Sequence, residues 1–206
     1  MKNKSNKTKY ALLTPVYDIA FGPLFKKARK RAISLVPIKD NEEVLVIGVG
    51  TGQDLKYINN NAKITGIDLS TTMLQEARRK RYKCDVALLE MNAENLRFED
   101  HKYDVVVMNL VLSVVEQPKI ALKEALRVLK EDGTILIFDK FKKNNKLSLK
   151  RRALNIVTST LGTDITRSFE SIVGGFEVEV YKDVELMFKG NYRGVLLRKM
   201  INTDIN

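Results

Sequence analysis

Five short apolar segments alternate with stretches of helical periodicity between residues 43 and 138, and this alternation constrains the fold more than any other feature. The predicted strands are, in order, Glu43–Ile47, Lys63–Asp68, Asp85–Glu90, Tyr103–Met108 and Thr134–Phe138. Almost continuously apolar strands that are joined by helices form a parallel sheet covered on both faces. Because crossovers between parallel strands are right-handed, we expect a doubly wound α/β sheet.

Helices are predicted between these strands and after them. The predicted helices are a short one near 53–60, Thr71–Arg81 after the cap candidate Ser70, Pro118–Lys130, a basic stretch near 148–160, and Thr163–Val173. The last quarter then has two strands, Phe176–Tyr181 and Tyr192–Lys199, joined by ten residues without a clear crossover helix. Such a connection predicts an antiparallel hairpin at the end of the chain.

Length and composition predict one soluble domain over residues 1–206, with a basic leader (1–40), an α/β core (41–139) and a basic segment followed by the hairpin (140–206). The single cysteine, Cys84, excludes a disulfide framework, and the single histidine, His101, leaves no His/Cys set for zinc. His101 lies in a polar loop, where we expect a surface residue. No apolar segment is long enough for a membrane span, and no secretory signal is expected, so we predict a cytoplasmic protein.

The net charge of +11 is concentrated in two segments. Residues 1–40 carry ten basic and two acidic side chains, and residues 140–152 carry seven basic and no acidic ones. Such clusters attract phosphate backbones or anionic lipid surfaces, although a solvated face is the plainer interpretation. Within the first cluster, Pro23–Val36 has the pattern of a basic amphipathic helix, which suits a membrane surface or docking on the protein's own core. Its predicted apolar face consists of Leu24, Ala28, Ala32, Leu35 and Val36.

A glycine-rich turn follows the first strand, with Gly48, Gly50 and Gly52 spaced as G-x-G-x-G. Glycines at this place let the backbone turn tightly and approach a ligand closely. The dinucleotide fingerprint requires Gly or Ala where this chain has Gln53, which favours a smaller anion such as an amino-acid carboxylate. Asp68 ends the second strand 20 residues after Gly48, the position of a carboxylate that binds ribose hydroxyls. The alternative is a helix N-terminal aspartate beside a turn that happens to be rich in glycine.

Five segments together carry a family resemblance. The segments VLVIGVGTGQDL, ITGIDLSTTML, LEMNAENLRF, YDVVVMNLVLSVV and ALKEALRVLKEDGTILIFDKF resemble, in this order, the motifs of class I S-adenosylmethionine-dependent methyltransferases. The resemblance covers about residues 10–200 and implies a seven-stranded sheet of order 3-2-1-4-5-7-6, with strand 7 antiparallel. The segment YALLTPVYDIAFGPLFKKARKRA is similar to the leader of bacterial phospholipid N-methyltransferases, and quinone C-methyltransferases share a version of its pattern.

The resemblance implies S-adenosylmethionine as cofactor and no metal. It places Gly48, Gly50 and Gly52 along the methionine moiety and Asp68 on the ribose. The other implied contacts are Leu69 and Met73 beside the adenine, Asn92 and Ala93 at its edge, and Asn109 and Leu110 beside the transferable methyl group. From the leader, Tyr17 and Tyr10 would fold over the cofactor as the candidate catalytic residues, although aromatic side chains near a helix often simply pack.

Two positions depart from the family pattern. Family members usually carry an acidic residue two positions before the first glycine, where this chain has Val46. Asn92 stands where an aspartate usually binds the adenine amino group, but its amide oxygen can still accept a hydrogen bond. The first departure removes a carboxylate near the cofactor's ammonium group.

The leading hypothesis is a methyltransferase acting on a phosphatidylethanolamine-type headgroup, in the cytoplasm and peripheral on the inner face of the membrane. The resemblance to the leader and the two basic clusters support this hypothesis. One alternative is methylation of a soluble small molecule or a quinone. RNA as acceptor is disfavoured because the basic segments have few interleaved aromatic residues. Because Val46 replaces the usual acidic residue, a catalytically silent relative is a further hypothesis.

Overall fold

The computed structural model describes residues 25–59, 61–141 and 167–200. These residues form a seven-stranded sheet of order β3-β2-β1-β4-β5-β7-β6, in which β7 runs antiparallel to both neighbours. The strands are β1 (Glu43–Ile47), β2 (Lys63–Asp68), β3 (Asp85–Glu90), β4 (Tyr103–Asn109), β5 (Leu129–Lys140), β6 (Val178–Met187) and β7 (Tyr192–Lys199). The predicted fold class and strand order are confirmed.

Four helices lie within the described residues: α1 (25–33), α2 (Thr71–Arg78), α3 (Pro118–Val128) and α4 (Phe169–Val173). The Ser70 side chain caps α2 by accepting the Met73 N–H group, as predicted. The helix ends earlier than the predicted Arg81, because the Tyr82 hydroxyl donates to the Ala77 carbonyl that a further helical turn would use.

Other predicted helices are shorter than expected or lie outside the described residues. The helix expected near 53–60 is a single 3-10 turn, Leu55–Tyr57. The side chains of Leu55 and Ile58 are both buried, so the chain packs against the sheet directly after this turn. The helix predicted over Thr163–Val173 begins only at Phe169 within the described residues, since Ser168 has extended backbone and caps it. The stretch near 148–160 lies outside the described residues.

Two apolar layers cover the two faces of the sheet. One contains α3 and α4 packed on Leu45, Ile47 and Met108, and the other contains α1 and α2 packed on Val44 and Val46. Successive residues of β1 therefore point into opposite layers, which explains why the whole strand is apolar. At about 25 cal/mol per Å² of apolar surface, burial of these side chains is the main stabilising contribution.

Helix α1 docks on the protein's own core. Phe25, Ala28, Ala32 and Ile33 are buried in the second layer, and Val36 is buried just after the helix. Its Arg29 guanidinium donates to Asp54 at 2.7 Å, and Asp54 is only 2% exposed. The apolar face of the amphipathic pattern is thus packed against the sheet, which decides between the two interpretations of this helix. Leu24, expected on the same face, lies outside the described residues.

The C-terminal hairpin is confirmed, but its first strand is later and longer than predicted. The turn between β6 and β7 spans residues 188–191 instead of ten residues. Charged residues of β6 hid the strand pattern because they form cross-strand ion pairs, including Glu179 with Arg198 at 2.8 Å and Asp183 with Arg193. Such polar pairs are usual on an edge strand, where only one side is hydrogen-bonded.

Within the part of the chain that the structure describes, no helix is long and apolar enough to cross a membrane. The same residues contain no group of three or more His, Cys, Asp or Glu side chains that could hold a metal ion.

Candidate active site at the carboxyl edge of the sheet

The predicted site residues converge at one edge of the sheet. Strands β1, β2, β4 and β5 run parallel, so their carboxyl ends lie side by side, and ligands of open α/β sheets bind outside such ends. Gly48 follows β1, Asp68 ends β2 and Asn109 ends β4. Residues far apart in sequence are thereby brought to a common edge.

The glycine turn has the geometry that its sequence indicates. Gly48, Gly50 and Gly52 all have positive φ, at 69°, 55° and 75°, which side chains adopt only with strain. A β-carbon on Gly48 would lie 2.8 Å from Val111 Cγ2, so glycine is also needed for packing there. At Gly50 a β-carbon would meet nothing nearer than the Gly48 carbonyl oxygen at 4.0 Å. The turn therefore faces open space at Gly50.

Asp68 is fixed by the backbone around it. One carboxylate oxygen accepts the Gly50 N–H at 2.9 Å and the other accepts the Ser70 N–H at 2.8 Å. Burial raises the pKa of the Asp68 carboxyl, while these N–H groups act in the opposite direction. The Leu69 N–H also bonds to this carboxylate. Because a carboxylate has about four acceptor positions, Asp68 can still accept a ligand hydroxyl. Asp68 thus links the glycine turn to the end of β2.

Asn109 has unused hydrogen-bonding capacity at this edge. Its side chain is 4% exposed, and both amide atoms lack a hydrogen-bond partner among the described residues. A buried amide without partners costs several kcal/mol in an apolar environment, so such groups usually have a ligand or water as partner. The next residue, Leu110, has φ 57°, and its N–H donates to the Phe138 carbonyl at 2.6 Å. This left-handed residue ends β4 abruptly at the edge.

The remaining predicted contacts lie on the flanks of the edge. Leu69 and Met73 are half-buried at the start of α2, where apolar side chains could cover a flat ring. Asn92 uses its amide oxygen to accept the Glu94 N–H at 3.0 Å, and the Ala93 side chain packs in the core. An adenine would therefore be contacted by the Asn92 amide N–H₂ and by the backbone groups of Ala93. The adenine contacts stay predictions.

Three other predicted residues have different outcomes. Tyr10 and Tyr17 lie outside the described residues. His101 is exposed at the opposite edge, 3.0 Å from Glu131, and is the surface residue expected. Val46 is 1% exposed in the core, so the position that is usually acidic is apolar here for packing.

Sequence reasoning missed Asp139 and Ser113. Asp139 is fully buried near the end of β5 and accepts the Ser113 N–H at 3.0 Å. The sequence carries a signal for Asp139, which lies, like Asp68, at the end of an apolar strand. The sequence does not indicate the partner of Asp139, because Ser113 lies 26 residues earlier in a segment with an apolar pattern.

The residues at this edge fit S-adenosylmethionine. The open space beside Gly50 can take the methionine moiety, the Asp68 carboxylate can still accept from a ribose hydroxyl, and the orphaned Asn109 amide offers a donor and an acceptor. Asp68 and Asn109 would hold the nucleoside and methionine ends of one ligand along the edge. When bound, this cofactor supplies an electrophilic methyl group on a sulfonium, which a nucleophile displaces.

Comparisons with known proteins agree with this fit. Residues 45–137 match the model of a methyltransferase domain family. The chain is 30% identical to a phosphatidylethanolamine N-methyltransferase of Cereibacter sphaeroides over 176 residues, which is 83% of this chain and 86% of that protein. It is 33% identical to a demethylmenaquinone methyltransferase of Thermotoga maritima, over 67% of this chain and 59% of that protein.

A solved structure shares the fold. Phosphoethanolamine N-methyltransferase 1 of Haemonchus contortus, in complex with phosphoethanolamine and S-adenosylhomocysteine, superposes with a TM-score of 0.75 at 14% identity. The match covers all of this chain and 50% of that one. At such low identity the likeness concerns the fold alone.

Proposed function

The chain belongs to the S-adenosylmethionine-dependent methyltransferases, and on that premise we propose that it methylates the amine of a phosphatidylethanolamine-type headgroup at an anionic membrane surface. The observation that carries the proposal is the extent of the similarity to a phosphatidylethanolamine N-methyltransferase, 83% of the chain, well beyond the 45–137 methyltransferase core. The similarity to the quinone enzyme covers 67% of the chain.

The chemistry asks the protein for positioning more than for a covalent catalyst. An amine nitrogen attacks the methyl carbon with its lone pair as the carbon–sulfur bond breaks, and the methylated amine then releases its proton. Holding both reactants in line can supply about 7–11 kcal/mol of the barrier. Asp68, the glycine turn and Asn109 hold the cofactor side of this geometry, and Tyr17 and Tyr10 stay candidates on the acceptor side.

The surface around the β6–β7 turn supports a membrane as the place of action. Tyr192 pairs with Lys140 in the sheet, so this turn lies at the same edge as the candidate active site. Phe188, the first residue of the turn, is 51% exposed, and Lys189 follows it. An exposed aromatic ring next to a cation is suited to the interface of an anionic bilayer.

Basic residues of α1 lie close to the same turn. The Phe25 ring contacts Tyr192 at 5.2 Å between centroids, and Tyr192 contacts Phe188 at 5.8 Å. Lys26 and Lys27 begin the exposed side of this helix. The apolar face of α1 is buried in the core, so this helix is not free to insert into a bilayer. We propose that the basic residues of α1 and the β6–β7 turn hold the protein at the lipid surface.

Methyl-labelled S-adenosylmethionine tests the acceptor. Purified protein is incubated with a crude extract, which is then separated into lipid, nucleic acid, protein and small-molecule fractions. We expect label in phosphatidylethanolamine derivatives, lost in Asp68→Ala and kept in Glu90→Gln, which removes a carboxylate at the end of the adjacent strand. Label in a quinone, a soluble metabolite or RNA would overturn the acceptor and keep the enzyme class. Cofactor binding without label in any fraction would favour a silent relative.

Vesicle binding tests the membrane surface separately. Binding to vesicles of phosphatidylglycerol is expected to fall as salt rises and to weaken in Phe188→Ser. Met200→Ser is the matched control, because Met200 is 54% exposed and follows β7 at the opposite edge of the sheet. Equal losses in both variants, or binding that ignores salt, would contradict the proposed surface.

A further inference from the structure

Asp139 is a buried carboxylate that the cofactor contacts do not use. It is 0% exposed and lies one residue before the end of β5. One oxygen accepts the Ser113 N–H at 3.0 Å, and the other accepts the Lys140 N–H at 2.7 Å. The Ser113 hydroxyl also bonds to it. The carboxylate thus joins the end of β5 to the segment that follows β4.

Among basic groups, Lys140 favours the charged form of Asp139, but it does so less than the hydrogen bonds do. Arg193 faces Asp139 across the β5–β7 pairing, but the Arg193 guanidinium binds Asp183 and lies 3.6 Å from Glu170. Burial accordingly raises the pKa of the Asp139 carboxyl. A buried carboxylate is costly unless hydrogen bonds compensate it, and here the compensation comes from the Lys140 N–H and from the N–H and hydroxyl of Ser113. This cost points to a role for the bond between the two residues.

Asp139 holds the turn 110–115. Other contacts of this turn fix it at the carboxyl edge of the sheet. At one end, the left-handed Leu110 donates its N–H to Phe138. At the other, Arg167 donates to the carbonyls of Leu112 at 2.6 Å and Val115 at 2.8 Å. Between them, Val111 packs on Gly48 of the glycine turn. Asn109, with its orphaned amide, immediately precedes the turn.

We propose that Asp139 is a positioning residue for methyl transfer: by holding Ser113 it fixes the turn 110–115 and keeps the Asn109 amide and Val111 in place beside the cofactor. The inference rests on methyl transfer from S-adenosylmethionine and holds whichever acceptor receives the methyl group. A displaced turn would move Asn109 relative to the glycine turn. Small misplacements of this kind lower the rate of the chemical step more than they lower affinity.

The test compares Asp139→Asn with Asp104→Asn. Asp104 is the control because its carboxylate also accepts a backbone N–H, that of Glu43 at 2.9 Å, but at the opposite edge of the sheet. Its other oxygen binds the Lys130 ammonium at 2.6 Å. The first measurement is hydrogen–deuterium exchange of the peptide spanning 109–115, with and without S-adenosylhomocysteine. The second is kcat and KM for S-adenosylmethionine with phosphatidylethanolamine in detergent micelles, or with whichever fraction takes up label in the extract experiment.

Asp139→Asn keeps one acceptor for Ser113 but brings an amide N–H₂ against the Lys140 N–H. We expect exchange in 109–115 to accelerate about tenfold and kcat to fall about tenfold or more, as for the loss of one charge-assisted hydrogen bond. KM for S-adenosylmethionine is expected to change less than about threefold, because the Asp68 contacts remain. Asp104→Asn is expected to leave kcat unchanged. Exchange in 109–115, with and without S-adenosylhomocysteine, should also stay the same.

Unchanged exchange in 109–115, or a fall in kcat no larger than in Asp104→Asn, would overturn the inference. If Asp139→Asn does not fold, Ser113→Ala decides, since it removes only the hydroxyl donor. Ser113→Ala should then change exchange in 109–115 and kcat in the same direction but by less. The absence of any change would contradict the inference. Wild-type protein that labels no phosphatidylethanolamine would contradict the proposed acceptor, while the exchange data would still decide the role of Asp139.

Discussion

Replacing Asp68 by alanine tests the centre of the candidate site. Each hydrogen bond from a ribose hydroxyl to this carboxylate contributes about 1.5–3 kcal/mol, and about 1.4 kcal/mol corresponds to a factor of ten in affinity. Part of this gain is offset by desolvation of the carboxylate, whose pKa burial already raises. We therefore expect Asp68→Ala to weaken binding of S-adenosylmethionine by about one to two orders of magnitude, measured by isothermal titration calorimetry.

The same substitution has a cost for the folded protein. It leaves the N–H groups of Gly50 and Ser70 without their acceptor. Two such losses in a half-buried place amount to about 2 kcal/mol, or about 4–8 °C in Tm for a chain of this size. Asp68→Asn, which keeps one acceptor, should recover more of the stability than of the affinity. Glu90→Gln should change neither quantity by much.

The raised pKa of Asp68 gives the prediction a dependence on pH. Protonation removes the charge that strengthens the ribose bonds, so affinity should fall as pH is lowered through the raised pKa, above the ordinary aspartate range near 3.9. In Asp68→Asn this acid limb should be absent. Affinity of Asp68→Ala within about threefold of wild type, at neutral pH and with the protein folded, would show that the ribose does not bind here.

Three further substitutions address the glycine turn and helix α1. Gly48→Ala and Gly50→Ala share the cost of positive φ, about 1–2 kcal/mol, but only the first forces a methyl group into Val111. Chemical denaturation should show a larger loss in the free energy of unfolding for Gly48→Ala. For Gly50→Ala, calorimetry should show a loss of cofactor affinity with little loss of stability. Equal stability losses in the two variants would be evidence against the packing argument. Arg29→Ala leaves the buried Asp54 without its ion pair and should cost about 3–5 kcal/mol in urea unfolding, and a loss below about 1 kcal/mol would mean that water compensates Asp54.

Much of the core could be predicted from the sequence because its signals are local. Four of the seven strands begin and end where the apolar segments predict, and Ser70 caps α2 as its residue type indicates. The glycine turn was predictable because positive φ excludes most other residues. Helix and strand ends were missed where a distant side chain decided them, as Tyr82 does for α2.

The sequence by itself determined the order of the elements, the parallel sheet and the residues at its carboxyl edge, because these follow from apolar periodicity and from turn chemistry over a few residues. Only the tertiary structure decided that the apolar face of α1 packs on the core, that Arg29 meets Asp54, and that Asp139 holds Ser113. The last two contacts join residues 25 and 26 positions apart, and only packing of the sheet and its two layers brings such residues together.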